Sequence, residues 1–145
     1  MDKIEPAGAP GRRANQRSVE AKNEVAAILQ ACGCTFEKNV PIEPLSIYGR
    51  QQRVDFIVHG SELWPAELIL EVQTQWKSGS ADQKLVYLER NIKETYPLAT
   101  AVVVLGDGWG AGAVEWLEHQ VDQRKLVRVL RLDDLVDGLT RRKAG

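Results

Sequence analysis

The sequence predicts an α/β protein in which a mixed β-sheet lies between two layers of helices. Helical patterns alternate with strands in the second half of the chain, two strands joined by a short turn precede them, and Ala99–Leu105 is a continuous apolar run. Such a run is typical of a central strand covered on both faces. The predicted order is α-β-β-β-α-β-α-β-α, with an αβββαβ core. The early strands are joined by short turns and the late strands by crossover helices, which indicates a mixed sheet.

The N-terminal third is predicted to hold one helix and one edge strand. Apolar residues recur at helical spacing over Asn15–Ala31, and Gly33 is suited to end that helix. The segment Phe36–Ile47 alternates apolar residues with polar residues or prolines. Because Pro41 and Pro44 cannot donate a hydrogen bond to a neighbouring strand, we expect an irregular or edge strand there.

The middle of the chain is predicted to form two neighbouring strands. The strand Arg53–Val58 is expected to turn three apolar side chains to one face: Val54, Phe56 and Val58. The strand Ala66–Gln73 alternates in the same way, with one face formed by Leu68, Leu70 and Val72 and the other by Glu67, Ile69, Glu71 and Gln73.

The C-terminal half is predicted to alternate helices with strands. A capping-box pattern at Ser80 opens a helix that runs to about Thr95, and Pro97 closes it. The glycine-rich segment Gly106–Gly112 is interpreted as a flexible connection between a strand and a helix, because its spacing does not match a dinucleotide-binding loop. The remaining elements are a helix over Gly112–Val121, a strand over Leu126–Leu132 and a final helix capped by Asp133.

Length and composition predict one cytoplasmic domain. The 145 residues suit a single domain over 14–140, with a flexible N-terminal tail over 1–13 and a basic C-terminal tail over 141–145. The net charge of −1 gives no global positive field, although a local basic lining around an acidic centre can cancel in the sum. Cys32 and Cys34 are too close for an easy disulfide and are expected as reduced thiols. The chain has no apolar run long enough to span a membrane and no apolar signal core.

Asp55 and Glu71 are the strand residues that most need an explanation. A carboxylate among apolar strand residues is costly to bury unpaired, and aspartate is a poor strand former. Two carboxylates that converge from adjacent strands make an oxygen-rich site of the kind that Mg²⁺ prefers. Gln73 lies two residues beyond Glu71, on the same face, where its amide can orient a water or a phosphate oxygen. The alternative interpretation of Asp55 is a structural salt bridge with Arg53 or Arg50.

The motif formed by these residues resembles that of a known family. The segment RVDF at Arg53–Phe56, a turn, and then EVQ at Glu71–Gln73 is similar to the D…E-x-K signature of the PD-(D/E)xK nuclease superfamily. The αβββαβ order is also similar to that family's restriction-endonuclease-like three-layer core, and the likeness extends from about Asn15 to Leu117. Gln73 stands where the family usually has lysine, so the chain resembles an E-x-Q variant.

The resemblance implies a role for each residue of the motif. Asp55 and Glu71 would hold a divalent metal, Mg²⁺ or Mn²⁺, and Gln73 would help to position the attacking water. Glutamine cannot take up or release a proton near neutral pH. Lys77 and Lys84 are therefore the candidates for the missing positive charge.

Further residues are assigned to the surroundings of this centre. The family often adds an acidic residue from the first helix, and Glu24 is the favoured candidate. Arg53, Lys77 and Lys84 flank the acidic centre in sequence and are expected to contact the DNA backbone, with a scatter of solubilising charge as the alternative. Trp76 is interpreted either as stacking on a base or as an anchor of its loop.

Together these features predict a divalent-metal-dependent endonuclease that hydrolyses phosphodiester bonds in DNA. A homodimer or a partner is expected, because cutting both strands needs two centres. The alternative is a catalytically inactive member of the same fold that binds nucleic acid or protein, and the missing lysine supports it. A structural or regulatory domain with no nucleic-acid role is a third hypothesis, which the near-neutral net charge supports.

Overall fold

The structure of the protein is a computed structural model that describes residues 10–77 and 81–140. Residues 1–9 of the predicted N-terminal tail, the predicted C-terminal tail over 141–145 and the predicted capping residue Ser80 lie outside these residues. The elements within them are, in chain order, α1 (Pro10–Ala31), β1 (Thr35–Ile42), β2 (Gln52–His59), β3 (Leu68–Thr74), α2 (Ala81–Glu94), β4 (Thr100–Leu105), α3 (Ala113–His119), β5 (Leu126–Leu130) and α4 (Leu132–Thr140).

The five strands form one mixed sheet in the order β1-β2-β3-β4-β5. β1, β2 and β3 pair antiparallel, because the chain reverses direction in the connections 43–51 and 60–67. β3, β4 and β5 pair parallel, because α2 and α3 each return the chain to the same end of the sheet. The predicted mixed sheet is confirmed, and β1, which contains Pro41, lies at its edge as predicted.

Helices cover both faces of the sheet, which confirms the predicted three-layer architecture. One apolar cluster includes Leu29 of α1 and Leu135 of α4, and a second includes Ile92 of α2. β4 supplies Val103 to the first cluster and Val102 to the second, as a strand buried on both faces must. No helix in the described part of the chain is long and apolar enough to cross a membrane.

The turn after α1 confirms the predicted end of the helix. Gly33 adopts a left-handed backbone with φ +78°, which glycine takes readily, and it ends the helix. The Cys34 N–H then donates to the Leu29 carbonyl at 2.9 Å. Cys32 and Cys34 are both free thiols.

Two features near the start of the domain differ from the prediction. α1 begins at Pro10 rather than at Asn15 and so includes the last residues of the predicted tail, since proline is tolerated in the first turn of a helix. In β2, Val54 packs in the cluster of α2, whereas Phe56 packs in the cluster of α1. The prediction that they share a face is wrong, because pairing between β2 and β3 is interrupted at Asp55, between them.

The last helix begins two residues earlier than a cap at Asp133 predicts. α4 starts at Leu132, so Asp133 lies inside its first turn and does not cap it. Asp134, at the third helical position, accepts a hydrogen bond from the Arg131 N–H at 3.1 Å. This is the contact that the acidic residue of a capping box makes, and it takes the place of the predicted Asp133 cap.

The glycine-rich connection over 106–112 packs against the segment that follows β3. The Gly108 N–H donates to the Gln75 carbonyl at 2.8 Å, and the Gln75 N–H donates to the Leu105 carbonyl at 3.1 Å. A Cβ on Gly106 would lie 2.1 Å from the Gln75 oxygen, and one on Gly108 would lie 2.5 Å from the Lys77 nitrogen. Both positions therefore require glycine for the close approach of two backbones.

We expect Gly108→Ala to lower the free energy of unfolding by about 1–3 kcal/mol, the usual cost of forcing an extra carbon into a packed site. Urea unfolding measures the change. Gly110→Ala is the matched control, because its Cβ would meet the Asp82 carboxylate at 2.6 Å, a side chain that can turn away. A Gly108→Ala protein as stable as the Gly110→Ala protein would contradict the close-approach argument.

Candidate metal centre

The two predicted carboxylates lie where β2 and β3 separate. These strands form only three residue pairs, and the last of them joins Phe56 to Leu70. Beyond it the Asp55 N–H donates to Glu71 Oε1 at 2.9 Å, and the Val72 N–H donates to Asp55 Oδ2 at 2.8 Å. Each carboxylate thus accepts a backbone hydrogen bond from the opposite strand. We call this arrangement of Asp55, Glu71 and Val72 the strand fork.

Glu71 is the buried member of the fork, with 5% of its surface exposed. The Tyr96 hydroxyl donates a short hydrogen bond to Glu71 Oε2. Burial, followed by the charge of Asp55, raises the pKa of Glu71 to about 8, although its hydrogen bonds with Tyr96 and the Asp55 backbone act in the opposite direction. Without a bound cation, Glu71 is therefore mainly protonated at neutral pH.

Asp55 is the more accessible member of the fork, and it is paired with a cation from α1. Lys22 Nζ lies 2.9 Å from Asp55 Oδ1. The Asp55 side chain is 18% exposed and that of Lys22 41% exposed, so the pair stands at the surface end of the fork. Asp55 pairs with Lys22 and with neither Arg53 nor Arg50, so the partners named in the salt-bridge alternative are wrong, although Asp55 does form an ion pair.

Lys22 is the residue that the sequence analysis missed. It follows Ser18 by four positions and precedes Val25 by three, so it borders the buried stripe of α1. That position is the only signal in the sequence, and it is shared by many lysines that merely border a buried face. The packing of α1 on β3 brings this ammonium group to Asp55.

Two shallow depressions meet at the fork. One has a volume of about 310 Å³ and receives Ser18 and Lys22 from α1. The other has a volume of about 390 Å³ and receives Tyr87 and Asn91 from α2. Four residues line both depressions: Arg53, Glu71, Gln73 and Lys84.

The lining of these depressions is locally basic although the whole chain has a net charge of −1. Glu71 retains its proton at neutral pH, which removes one negative charge from the described lining residues. The basic residues of the lining are Lys22, Arg50, Arg53 and Lys84. A negatively charged ligand would therefore meet a favourable local field.

Three of the predicted residues other than the carboxylates lie in this lining. Gln73 is half-buried beside Glu71 on the same strand. Arg53 is exposed, and its Nη1 donates to the Asn39 carbonyl at 2.8 Å. Lys84 is exposed, and its Nζ lies 3.3 Å from Gln75 Oε1.

The other three predicted residues lie outside it. Lys77 is exposed away from the two depressions. Trp76 lies beneath the guanidinium group of Arg17, with 5.0 Å between the Arg17 Cζ and the ring centroid, an arrangement that ties its loop to α1. Glu24 is exposed in a separate depression with Trp76. Two helix positions differ by about 200°, so Glu24 projects away from the side on which Lys22 reaches the fork.

The donor chemistry of the fork fits Mg²⁺ or Mn²⁺, which prefer carboxylate oxygens together with water and phosphate oxygens. Asp55 and Glu71 would hold the ion, and a cation would favour loss of the Glu71 proton. In the described part of the chain, no group of three or more His, Cys, Asp or Glu residues is placed to hold a metal. The protein would therefore supply these two carboxylates and leave other positions to solvent and substrate.

A larger depression than either of the two at the fork lies elsewhere, with a volume of about 560 Å³. It is bordered by Leu63, Trp64 and Arg128, and by Asp134 and Asp137 of α4. Neither the fork nor Lys22 contributes to it. Size alone therefore does not identify the site. The site is identified by two carboxylates, one of them buried, that converge with basic residues.

Comparison with known proteins identifies the family of the chain. A family model described as the PD-(D/E)XK nuclease superfamily domain matches residues 12–143. The chain therefore belongs to the PD-(D/E)XK nuclease superfamily, and its mixed five-stranded sheet flanked by helices has the restriction-endonuclease-like fold.

No curated protein matches the sequence. Among solved structures, the chain is similar to a crystal structure of a protein of unknown function, AF1548, at 9% sequence identity and a TM-score of 0.47. The match covers 76% of this chain and 54% of that protein, so the chain spans about half the length of that protein.

The raised pKa of Glu71 predicts a pH-dependent stability. Glu71 loses its proton near pH 4.5 in the unfolded chain and near pH 8 in the folded protein, so its contribution is complete below about pH 4.5 and is lost as the pH rises through about 8. Between about pH 6 and about pH 8, the free energy of unfolding should fall by roughly 2 kcal/mol in EDTA. Urea unfolding at the two pH values measures this change.

Glu71→Gln is the control for that measurement, because it keeps the shape of the side chain and removes the titrating proton. The variant should lack this part of the pH dependence. Mg²⁺ should stabilise the wild-type protein more at about pH 8 than at about pH 6, because the ion competes with the proton. Equal pH dependence in the two proteins would show that Glu71 does not titrate in this range.

Proposed function

We propose that the protein is a divalent-metal-dependent endonuclease that hydrolyses phosphodiester bonds in DNA. The main support is the strand fork. Across the two strands, the buried Glu71 accepts from the Asp55 N–H and Asp55 accepts from the Val72 N–H, while Lys22 forms an ion pair with Asp55. A structural role alone does not explain why a carboxyl group with a pKa near 8 is buried beside a second carboxylate. The likeness to restriction endonucleases favours DNA as the substrate.

Each residue of the centre has a distinct part in the proposed reaction. Asp55 and Glu71 bind the ion, and Gln73 orients the attacking water through its amide. A bound Mg²⁺ or Mn²⁺ would polarise the scissile phosphate and lower the pKa of the attacking water. Tyr96 fixes the orientation of the Glu71 carboxyl group through its hydroxyl hydrogen bond.

Lys22 supplies the positive charge that Gln73 lacks. Its ammonium group projects from α1 into the same depression as Gln73. There it can stabilise negative charge that develops on the phosphate during cleavage. This assignment replaces Lys77, which lies away from the depressions, and leaves Lys84 to contact the substrate backbone.

The remaining basic residues hold the DNA. Arg53 and Lys84 line both depressions, and Arg50 lines the one beside α2. Contacts of this kind would position the phosphate backbone without selecting a sequence. For a duplex substrate, a homodimer would provide the second centre that cutting both strands requires.

Cleavage of supercoiled plasmid and of single-stranded DNA tests the proposal. With Mg²⁺ or Mn²⁺ the wild-type protein should cleave at least one of the two substrates, and Asp55→Asn and Glu71→Gln should each remove the activity, as should EDTA. Thermal unfolding of each variant shows that it is folded. DNA binding that persists in EDTA, with no cleavage by the wild type under any metal, would instead support the catalytically inactive alternative that Gln73 favours.

Lys22→Met should lower the cleavage rate by about a hundredfold, the usual effect of removing a group that stabilises developing charge. Lys38→Met, on the exposed edge strand β1, is the control and should cleave at the wild-type rate. Adding Gln73→Lys to Lys22→Met restores the family's usual lysine and should recover activity. A fully active Lys22→Met protein would disprove the role of Lys22, and Lys84→Met would then identify the alternative cation.

A further inference from the structure

We propose that Tyr48 and Tyr87 form a stacking platform for an unpaired base, and that the substrate is single-stranded DNA or a single-stranded part of a duplex. This inference rests on the proposed nuclease function and specifies its substrate. We call the two stacked rings the tyrosine platform.

The tyrosine platform is an exposed pair of parallel rings. The centroids of Tyr48 and Tyr87 are 5.2 Å apart, and the ring planes differ by 18°. Tyr48 belongs to the connection between β1 and β2 and is 73% exposed, whereas Tyr87 belongs to α2 and is 37% exposed. One face of Tyr48 is covered by Tyr87, so its other face is available for a third ring in the same stack.

The backbone that presents Tyr48 is fixed by hydrogen bonds. The Ile47 N–H donates to Asn91 Oδ1 at 2.8 Å, and Asn91 is buried in α2. The hydroxyl of Ser46, also buried, accepts hydrogen bonds from the N–H groups of Tyr48 and Arg50, each at 3.2 Å. The platform is therefore formed before a ligand arrives, which lowers the entropy cost of stacking a base on it.

The second ring of the platform belongs to a residue that is tied to the same buried amide. The Asn91 side-chain amide donates to the Tyr87 carbonyl at 3.2 Å. Hydrogen bonding with Ser46 and Asn91 lowers the pKa of the Tyr87 phenol, and the positive charge of Arg50 acts in the same direction.

One ring of the platform, that of Tyr87, lines the depression that reaches Glu71 of the fork. Tyr87 and Glu71 line the same depression, and Arg50, Arg53 and Lys84 line it with them. None of these three basic residues forms an ion pair with another residue in the described part of the chain. A strand whose phosphate lies at the fork would follow these cations towards the tyrosines.

Charge and shape together favour a nucleic acid over a protein on this surface. Aromatic rings beside cations are the combination that binds single strands, because bases stack on the rings and phosphates meet the cations. Leu45, Ile47 and Val86 are exposed nearby and would also suit an apolar protein partner. Such a partner would remove water from three unpaired cations, which is costly.

Stacking on the platform selects unpaired bases. A base inside a duplex is already stacked on its neighbours, so neither of its faces is free. A strand that is already single has no pairing to break. A single-stranded substrate also needs one catalytic centre rather than two.

The test is binding in EDTA, where no cleavage occurs. Fluorescence anisotropy compares a labelled single strand with its duplex for the full chain, Tyr48→Ala, Tyr48→Trp and Tyr87→Ala. Tyr48→Ala should weaken single-strand binding by about tenfold, and Tyr48→Trp should retain it. Duplex binding should be unchanged in all variants. Trp116→Ala, which removes an exposed aromatic residue of α3 outside both depressions, is the matched control.

A photochemical measurement locates the contact. A single strand that contains 5-iododeoxyuridine is irradiated with the protein, and the crosslinked peptide is identified by mass spectrometry. We expect the crosslink on Tyr48. A crosslink confined to other residues, unchanged binding by Tyr48→Ala, or an equal loss for single strand and duplex would each overturn the proposal. So would a Tyr48→Ala protein that loses self-association and keeps its DNA affinity, because the surface would then be a protein interface.

The result for the tyrosine platform can be distinguished from the result for the proposed nuclease function. If the wild-type protein never cleaves but Tyr48→Ala selectively weakens single-strand binding, the platform stands and the nuclease assignment fails. If the wild type cleaves and Tyr48→Ala changes neither binding nor the preference for single strands, the nuclease assignment stands and the platform fails.

Discussion

The structure depends on the exchange of backbone hydrogen bonds for side-chain hydrogen bonds at the point where β2 and β3 separate. A buried N–H group left without an acceptor is costly. The Glu71 carboxylate accepts from the Asp55 N–H, and the Asp55 carboxylate accepts from the Val72 N–H. The sheet can therefore open without leaving these donors unsatisfied. The opening in turn creates a place where two carboxylates face each other with limited access to water.

This opening determines the surroundings of Asp55 and Glu71. Because Glu71 is buried, it needs the Tyr96 hydroxyl on one oxygen and keeps a proton at neutral pH. Because Asp55 is nearer the surface, a helix from the opposite layer can reach it, and Lys22 of α1 does so. The two acids thus carry the same chemical group in different surroundings, and burial raises the pKa of Glu71.

The two helical layers contribute different chemical groups to the same centre. The α1 layer brings a cation to the fork, and the α2 layer brings aromatic rings and amides beside it. A positive charge from α1 offers a physical reason why a glutamine at position 73 is compatible with the proposed nuclease activity. A positive charge is needed at a particular place near the phosphate, and side chains from more than one element of the chain can supply it.

The sequence by itself determined the fold class, the order of elements, and the placement of Asp55 and Glu71 on neighbouring strands, because alternation, turn residues and apolar runs are local properties. The family resemblance followed from the same segments. Sequence spacing did not determine which helix residue approaches Asp55: it favoured Glu24, whereas the packing of α1 brings Lys22. The contact of Tyr48 with Tyr87 joins positions far apart in the chain. Only the tertiary structure decides such contacts, because they depend on how whole layers pack and on which groups lose water.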